Sequence, residues 1–339
     1  MSDRILKKSF NTFLPSSLRP MSFLFYILFF LIYLLINCSI ASADTSMFTT
    51  YNPILPTHTS IPTSGLKVVW WNIDCGLESS EQKISGHLQT TNLERNLKEL
   101  SISEFKPDVL ILGEYCPYSM SDTDQTLLKN TFKYNYHLER NIPQFKTASG
   151  GVNQRNGFLV LSDYRIRILK EEVLFANLNS AESKDNRKYL LFKVTKDDQD
   201  YLINPVHLVN PWRDIYKKSG LFSTFNELAY GEQNPNAIQI QNLIEKFKDN
   251  KIEGTPYLMI GDFNSPGSIS GFSGWGFKQL QNNLDKLFPG HEDTYLGDGP
   301  FPATNIDHAF GYSLNAPYTM IWPLDGSRHL PLYVVIHGE

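Results

Sequence analysis

The sequence contains little cysteine, no excess of basic residues, and no repeated or low-complexity segment. Among its 339 residues there are three cysteines, and 31 Lys and Arg stand against 35 Asp and Glu. The lack of repeats excludes a repeat protein, and the lack of low-complexity tracts argues against a largely disordered chain. The lack of a basic excess argues against a domain built to hold long nucleic acid, unless its bases form a local patch. With 41% hydrophobic and 19% charged residues, the composition is that of an ordinary globular α/β protein.

Long hydrophobic runs are also scarce, and the main one lies near the N-terminus. "FLFYILFFLIYLLI", residues 23–36, has 14 residues without charge; four basic residues precede it and "ASA" at 41–43 follows. This order is typical of an export signal and predicts cleavage after Ala43. The alternative is an uncleaved anchor over residues 21–43, since that length can just span a bilayer of about 30 Å. Under either interpretation the folded part lies outside the cytoplasm, as a periplasmic, secreted or membrane-anchored protein.

Removal of residues 1–43 leaves an acidic chain with two cysteines. That segment carries four of the 31 basic residues and one of the 35 acids, so the remainder has 27 bases, 34 acids and a net charge of −7. Cys38 leaves with the segment, and Cys75 and Cys116 remain. An even pair of cysteines in an oxidising compartment indicates a disulfide, so we predict a Cys75–Cys116 bond.

The chain after the signal divides into a short linker and one long domain. Residues 44–65 are rich in Thr, Ser and Pro, which is typical of a linker. From residue 66 to 339, apolar runs typical of strands alternate with segments of helical periodicity. The predicted strands are 66–73, 107–115, 157–162, 188–195, 201–208, 256–262, 305–310 and 331–336, and the predicted helices are 88–105, 234–250 and 276–287. This interleaving predicts mixed sheets flanked by helices.

Polar residues stand at or near the ends of several predicted strands. In "MIGDFNSP", residues 259–266, an apolar strand turns directly into Gly261, Asp262 and Asn264. A simple turn is one explanation, because Gly, Asp, Asn and Pro all favour turns. A site for a metal or a water is the other. The further polar residues of this kind are Asn72, Glu114, His207, Asp307 and His329.

Strand ends that carry such residues can form a site although they are far apart in sequence. In open α/β sheets, ligands gather at the carboxyl ends of the strands. Carboxylate and amide oxygens suit Mg²⁺, which keeps several waters and binds substrate phosphate. Histidines can transfer protons or supply positive charge, and an aspartate can act as a general base. The residue types are therefore coherent for chemistry on phosphate esters.

The order of these motifs resembles the endonuclease/exonuclease/phosphatase superfamily. That superfamily includes pancreatic-type deoxyribonucleases, abasic-site endonucleases, inositol polyphosphate 5-phosphatases and bacterial sphingomyelinases. The resemblance covers residues 66 to 337, through "WWNI", "PDVLILGEY", "NPVHL", "IGDFNSP", "NIDHAF" and "SRHLPL". It implies an α/β fold, a four-layer sandwich of two packed mixed β-sheets with helices outside.

The resemblance also implies roles for individual residues. Around a cation, Glu114 is expected as the main metal ligand, with the Asn72 carbonyl and Asp307 beside it. Magnesium is the expected metal, with manganese or calcium as alternatives. The expected catalytic roles are Asp262 as the base for the attacking water, Asn264 holding that water or a phosphate oxygen, His207 as the general acid, and His329 stabilising transition-state charge.

One departure from the family pattern concerns the residue before His329. The family has Ser-Asp-His, whereas this chain has Ser327-Arg328-His329. A cation beside His329 is expected to lower the pKa of the imidazole, and Arg328 itself could bind substrate phosphate. Asp325 is a candidate replacement for the missing acid.

These features predict an exported, Mg²⁺-dependent phosphoric-ester hydrolase. A phosphodiesterase is favoured, since His207 matches the diester-cleaving branches, with a nuclease as the leading activity. The substrate would be nucleic acid or a phospholipid headgroup. A phospholipid or inositol-phosphate hydrolase is the enzyme alternative, and a catalytically impaired binding module of the same fold is the alternative of another class. No protein partner can be inferred, and membrane contact is expected only through the N-terminal segment.

Overall fold

The computed structural model describes residues 62, 64–73, 106–115, 122–138, 145–146, 152–153, 157–174, 187–210, 234–267, 274–287, 294, 305–321, 327 and 329–339. The predicted signal segment 1–43, most of the predicted linker 44–65, and the predicted helix 88–105 lie outside these residues.

In the described part of the chain, two six-stranded sheets and a two-stranded ribbon form the framework. The strands are β1 (Leu66–Asn72), β2 (Val109–Gly113), β3 (Tyr134–Leu138), β4 (Phe145–Lys146), β5 (Val152–Asn153), β6 (Phe158–Ser162), β7 (Arg167–Val173), β8 (Lys188–Lys196), β9 (Gln199–His207), β10 (Tyr257–Asp262), β11 (Asp285–Lys286), β12 (Asp307–Tyr312), β13 (Leu314–Ile321) and β14 (Leu332–Gly338). The helices are α1 (Asp122–Thr131), α2 (Pro235–Asn250) and α3 (Trp275–Gln281). The first sheet has the order β13-β14-β1-β2-β6-β3, the second has β11-β12-β10-β9-β8-β7, and β4 pairs with β5.

The side chains form one core between the two sheets and one on each outer face. In β1, Val68 and Trp70 face the second sheet, where residues such as Ile260 join them. Val69 and Trp71 face the opposite way and belong to the core that includes the inner side of α1. The outer face of the second sheet packs against α2 and α3. This alternation, expected of a strand buried on both faces, gives the predicted four-layer α/β sandwich.

The second helix begins and packs as its sequence indicates. The Asn234 side chain accepts a hydrogen bond from the Ala237 N–H at 2.8 Å, and Pro235 opens the helix, as is common where the first N–H groups lack helical partners. The apolar residues at helical spacing are buried against the sheet: Ile240, Leu243, Ile244 and Phe247. The helix and its buried face are therefore confirmed.

Several peripheral elements differ from the sequence-based expectation. The helix expected over 276–287 ends at Gln281, and Asp285–Lys286 pairs with β12 as an edge strand instead. Strand β7 was not predicted, because its sequence RILKEEV is charged and only partly buried at the sheet edge. Strand β13 contains Pro317 and an irregular register between Asn315 and Tyr318. Proline is tolerated on an edge strand such as this, although it suggests a turn in the sequence.

No helix among the described residues is both long and apolar enough to cross a membrane. Residues 21–43, on which the predicted anchor depends, are not among them.

Candidate active site

Three neighbouring strands of the second sheet place His207, Asp262 and Asp307 side by side. Strands β9 and β10 run parallel, with Asp262 opposite His207. Strands β10 and β12 run antiparallel, with Asp262 opposite Asp307. Residues in register share a face of a sheet, so these three buried side chains converge at one end.

The first sheet brings Asn72 and Glu114 to the same cluster. Strands β1 and β2 are parallel with Asn72 opposite Gly113, and Glu114 follows directly with a φ of 47°. A non-glycine residue with positive φ is uncommon and often marks a functional site. The Asn72 Nδ2 lies 3.5 Å from Glu114 Oε1 and 3.2 Å from Asp262 Oδ2. Asn72 therefore links carboxylates that belong to different sheets.

The turn after β10 reverses the chain and also donates a hydrogen bond to the Asp262 carboxylate. The Asn264 N–H donates to Asp262 Oδ1 at 2.8 Å, and Asn264, with a φ of 49°, donates from Nδ2 to Leu208 O at 2.9 Å. At Gly261 a Cβ would lie 2.0 Å from the Val206 carbonyl oxygen, so the close approach of β9 requires glycine. The predicted contact of Asn264 with water or phosphate stays a prediction.

His329 is held by Asp307, and this contact changes the expectation for its charge. The His329 Nδ1 lies 2.8 Å from Asp307 Oδ2. Burial opposes the charged imidazole, but the charge of Asp307 and its hydrogen bond prevail and raise the pKa of His329 to about 9. Arg328 lies outside the described residues, so the lowering expected from it stays a prediction; the acid that contacts His329 is Asp307, from β12. His329 Nε2 is left 3.9 Å from Asp262 Oδ2.

Burial, followed by the charge of Asp307, raises the pKa of Asp262 to about 7. His329 and the Asn264 N–H act in the opposite direction but do not cancel this effect. An aspartate with a pKa near neutrality can accept a proton more readily than an ordinary exposed one. The environment of Asp262 therefore suits a general base.

His207 completes the group from the end of β9. Its Nε2 lies 3.1 Å from Glu114 Oε1 and 3.7 Å from Asp262 Oδ2. A histidine between two carboxylates is placed to carry a proton and to pass it to a third group. The predicted role of His207 as the general acid remains a prediction.

The donor set fits a divalent cation. Asp262, Asp307 and His329 each offer a ligand atom within 4.8 Å of the others. Together with Glu114 there are three buried carboxylates, and the imidazoles of His207 and His329 lie beside them. Uncompensated buried charge is costly, and hard oxygen donors suit Mg²⁺.

The ligand sets from sequence and from structure overlap without being identical. Asp307 belongs to both, and Glu114 lies beside the Asn72 amide that also contacts Asp262. The Asn72 amide nitrogen, rather than its carbonyl, faces these carboxylates. Asn72, Glu114 and Asp307 thus share one cluster, and their individual roles as ligands remain predictions.

Two buried tryptophans that sequence reasoning left unassigned donate hydrogen bonds to Asp307 and His329. The Trp70 Nε1 donates to Asp307 Oδ1 at 2.9 Å, and the Trp71 Nε1 donates to His329 O at 2.9 Å. The available signal was the "WW" before Asn72, because a buried indole N–H usually has an acceptor.

Two hydroxyl groups fix the backbone around the same residues. The Ser327 Oγ donates to Asn72 O at 2.6 Å and accepts from the His329 N–H at 3.1 Å. The Thr294 Oγ1 accepts from the Asp307 N–H at 2.9 Å, where β12 begins. Ser327 belonged to the recognised motif, whereas Thr294 stands in a segment without a distinctive pattern.

Arg187 is a further residue that sequence reasoning missed. It is buried and directly precedes β8. Strand β8 is antiparallel to β9, so the start of β8 and the His207 end of β9 lie at the same end of the sheet. Arg187 therefore places a cationic residue at the sheet end where the carboxylates converge.

The structure thus brings together seven of the predicted site residues: Asn72, Glu114, His207, Asp262, Asn264, Asp307 and His329. Arg328, Cys75 and Cys116 lie outside the described residues.

Known proteins share both sequence features and the fold. Residues 69–329 match the model of the Endonuclease/Exonuclease/phosphatase family. No curated protein sequence matches the chain.

Solved structures that share the fold include two bacterial proteins and a vertebrate one. An endonuclease/exonuclease/phosphatase from Beutenbergia cavernae DSM 12333 is 17% identical, with a TM-score of 0.56 over 81% of this chain and 72% of that chain. One from Bacteroides vulgatus is 12% identical, with a TM-score of 0.53, and the match covers 81% of this chain and 100% of that chain. A humanized D. rerio TDP2 is 16% identical, with a TM-score of 0.51, and the match covers 80% of this chain and 99% of that chain. At these identities the likeness shows the fold alone.

Proposed function

Because the chain belongs to the endonuclease/exonuclease/phosphatase family, we propose that it hydrolyses phosphodiester bonds with Mg²⁺ held among its buried carboxylates. The observation that carries this proposal is the surroundings of Asp262 Oδ2. That oxygen lies 3.2 Å from Asn72 Nδ2, 3.7 Å from His207 Nε2 and 3.9 Å from His329 Nε2. One oxygen of the proposed base therefore lies close to an amide and to two histidines that can carry protons, and the Glu114 carboxylate lies beside one of those histidines.

Asp262 is the proposed base for the attacking water. The Asn264 N–H engages Oδ1, which leaves Oδ2 toward the site, and the raised pKa of about 7 suits proton acceptance near neutral pH. The new bond to phosphorus forms as the bond to the leaving oxygen breaks, and the water proton passes to Asp262. A bound divalent cation would neutralise phosphate charge and polarise the phosphoryl oxygen. Glu114, Asp307 and the Asn72 side chain are the proposed residues around it.

The two histidines have different proposed roles in this displacement, one toward the leaving oxygen and one toward the phosphate. His207 is the proposed general acid, which donates its proton to the leaving oxygen. His329, whose pKa Asp307 helps to raise to about 9, would be charged at neutral pH and stabilise the negative charge that develops on phosphate. The cationic Arg187 at the same sheet end, and Arg328, are proposed to favour anionic substrates.

A diester is the preferred substrate because of the resemblance of His207 to the general acid of the deoxyribonuclease and sphingomyelinase branches. Nucleic acid is the leading candidate, although the net charge of −7 after residue 43 opposes binding of a long polyanion. A phospholipid headgroup or an inositol phosphate is the enzyme alternative.

We also propose that the protein acts outside the cytoplasm, either free or held by residues 21–43. The support is the basic segment, the uncharged run 23–36 and the "ASA" at 41–43. In that compartment Cys75 and Cys116 are proposed to form a disulfide.

Hydrolysis of bis-p-nitrophenyl phosphate by the purified protein tests the reaction. We expect turnover with Mg²⁺, none with a chelator, and loss of turnover in Asp262→Asn. Asp249→Asn is the matched control, because Asp249 is exposed on α2 and its substitution makes the same chemical change. A panel of DNA, RNA, sphingomyelin and inositol phosphates then identifies the substrate class. Substrate binding without turnover would favour the catalytically impaired binding module instead.

A further inference from the structure

We propose that Trp70 is a positioning residue for catalysis, which acts by fixing the Asp307 carboxylate so that Asp307 can orient His329. This inference rests on the proposed function. The observation is that Trp70, from the middle of the first sheet, donates its indole N–H to Asp307 Oδ1 across the space between the sheets at 2.9 Å.

The ring of Trp70 is held in place on several sides. Trp70 is fully buried and packs edge-on against Phe158, with ring centroids 5.9 Å apart. A Cβ at position 113 would lie 2.4 Å from the Trp70 ring, so Gly113 provides the space that the ring occupies. Gly113 directly precedes Glu114. The Trp70 ring therefore packs against the strand that leads to Glu114, and its N–H binds Asp307.

The hydrogen bond leaves Asp307 with a defined orientation. Asp307 Oδ1 accepts from Trp70, Oδ2 lies 2.8 Å from His329 Nδ1, and the Asp307 N–H donates to Thr294. Without the indole N–H, the buried Oδ1 would lose a donor and the carboxylate could turn toward other partners. Because Asp307 Oδ2 determines where His329 Nδ1 lies, His329 Nε2 would then move relative to Asp262.

Trp70→Phe separates positioning from core packing, since phenylalanine keeps an aromatic ring and removes the N–H. We expect kcat to fall about 10- to 100-fold with KM unchanged. Losses of this size are typical when a residue that hydrogen-bonds to a metal ligand, and so orients it, is replaced. Val194→Ala is the packing control, because Val194 lies in the same core between the sheets and contributes no polar atom to the site. It should lower the unfolding temperature and leave kcat unchanged.

A double-mutant cycle tests whether the effect passes through His329. In a His329→Gln background, Trp70→Phe should lower kcat no further, because the residue being positioned is already absent. Equal losses in both backgrounds would overturn the proposal. If the unsubstituted protein is active and Trp70→Phe leaves its kcat unchanged, the proposal is also overturned.

Indole N–H resonances give a readout that is independent of activity. The chain has five tryptophans, and substitution assigns the Trp70 signal among their ¹H–¹⁵N resonances. Asp307→Asn should shift the Trp70 signal strongly and leave that of Trp275, which opens α3, in place. An unmoved Trp70 signal would show that the hydrogen bond is absent. If the unsubstituted protein had no hydrolase activity but this shift occurred, the proposed function would fail while the contact stood.

Discussion

The Nδ1 of His329 lies 2.8 Å from Oδ2 of Asp307, and this contact joins the two sheets at the end where the candidate site lies. Asp307 is the first residue of β12 in the second sheet, and His329 shortly precedes β14 in the first. The acid that keeps His329 charged is therefore supplied across the sandwich. This geometry explains how the site can retain an oriented imidazolium although Arg328 stands where the family pattern has an aspartate.

Without metal, the protein should become less stable as the pH rises. The pKa of Asp262 is raised from 3.8 to about 7, and that of His329 from 6.5 to about 9. In both windows the folded state binds more protons than the unfolded state, so the free energy of unfolding decreases with pH. The His329 contribution is complete below pH 6.5 and is lost as the pH passes about 9. Thermal unfolding in chelator across this range measures the effect.

Magnesium should oppose that trend, because a cation held beside Asp262 and His329 disfavours the protonated forms of both side chains. We expect Mg²⁺ to raise the unfolding temperature more at high pH than at low pH. Asp262→Asn should flatten the low-pH part of the metal-free profile, whereas Asp249→Asn should leave it unchanged. A stability that increases with pH in chelator would contradict the assigned direction of both shifts.

Asp262→Asn should lower kcat far more than it raises KM. A general base acts in the transition state, and its removal typically costs about 10²- to 10⁴-fold in rate. Steady-state kinetics with bis-p-nitrophenyl phosphate provide the measurement. A loss confined to KM would make Asp262 a binding residue instead.

Gly261→Ala should disrupt the site through the backbone, whereas Gly254→Ala should not. Both glycines have positive φ, 155° and 69°, but an added Cβ meets the Val206 carbonyl at 2.0 Å at Gly261 and nothing within 4 Å at Gly254. We expect Gly254→Ala to cost about 1 to 2 kcal/mol from backbone strain. Gly261→Ala should cost at least about 3 kcal/mol, since the pairing of β9 with β10 must also shift. Denaturant unfolding of the two variants compares these costs, and equal losses would show that the close approach is unimportant.

Cys75 and Cys116 should be joined in the exported protein. Asn72 and Gly113 are opposite each other in β1 and β2, and each cysteine follows three residues after one of them. Thiol titration of the denatured, never-reduced protein purified from the exported fraction counts the free cysteines. Two free thiols from these positions would exclude the bond.

Sequence reasoning predicted the central elements better than the edges. Strands such as β1 and β10 are mostly apolar, because both of their faces are largely buried, and the polar residues at their ends could be named. Strands β7 and β13 escaped prediction because edge strands tolerate charge and proline.

The contacts of the site depended on information that the sequence does not carry. The order of the motifs identified Asp262 and His329, but their separations reflect strand register across two sheets. The Trp70–Asp307 hydrogen bond joins residues 237 positions apart, and no local pattern indicates it. The raised pKa of His329 likewise follows mainly from Asp307, a partner on another strand.

The most direct test of the central claim compares Mg²⁺-dependent hydrolysis of bis-p-nitrophenyl phosphate by the unsubstituted protein, Glu114→Gln and the exposed control Glu245→Gln. Glu114 is buried within 3.1 Å of His207 and next to the Asn72 amide, so glutamine keeps the shape and removes the charge. We predict that Glu114→Gln remains folded and loses most Mg²⁺-dependent turnover, while Glu245→Gln matches the unsubstituted protein. Normal turnover and an unchanged Mg²⁺ requirement in Glu114→Gln would contradict a metal-dependent site built on these carboxylates.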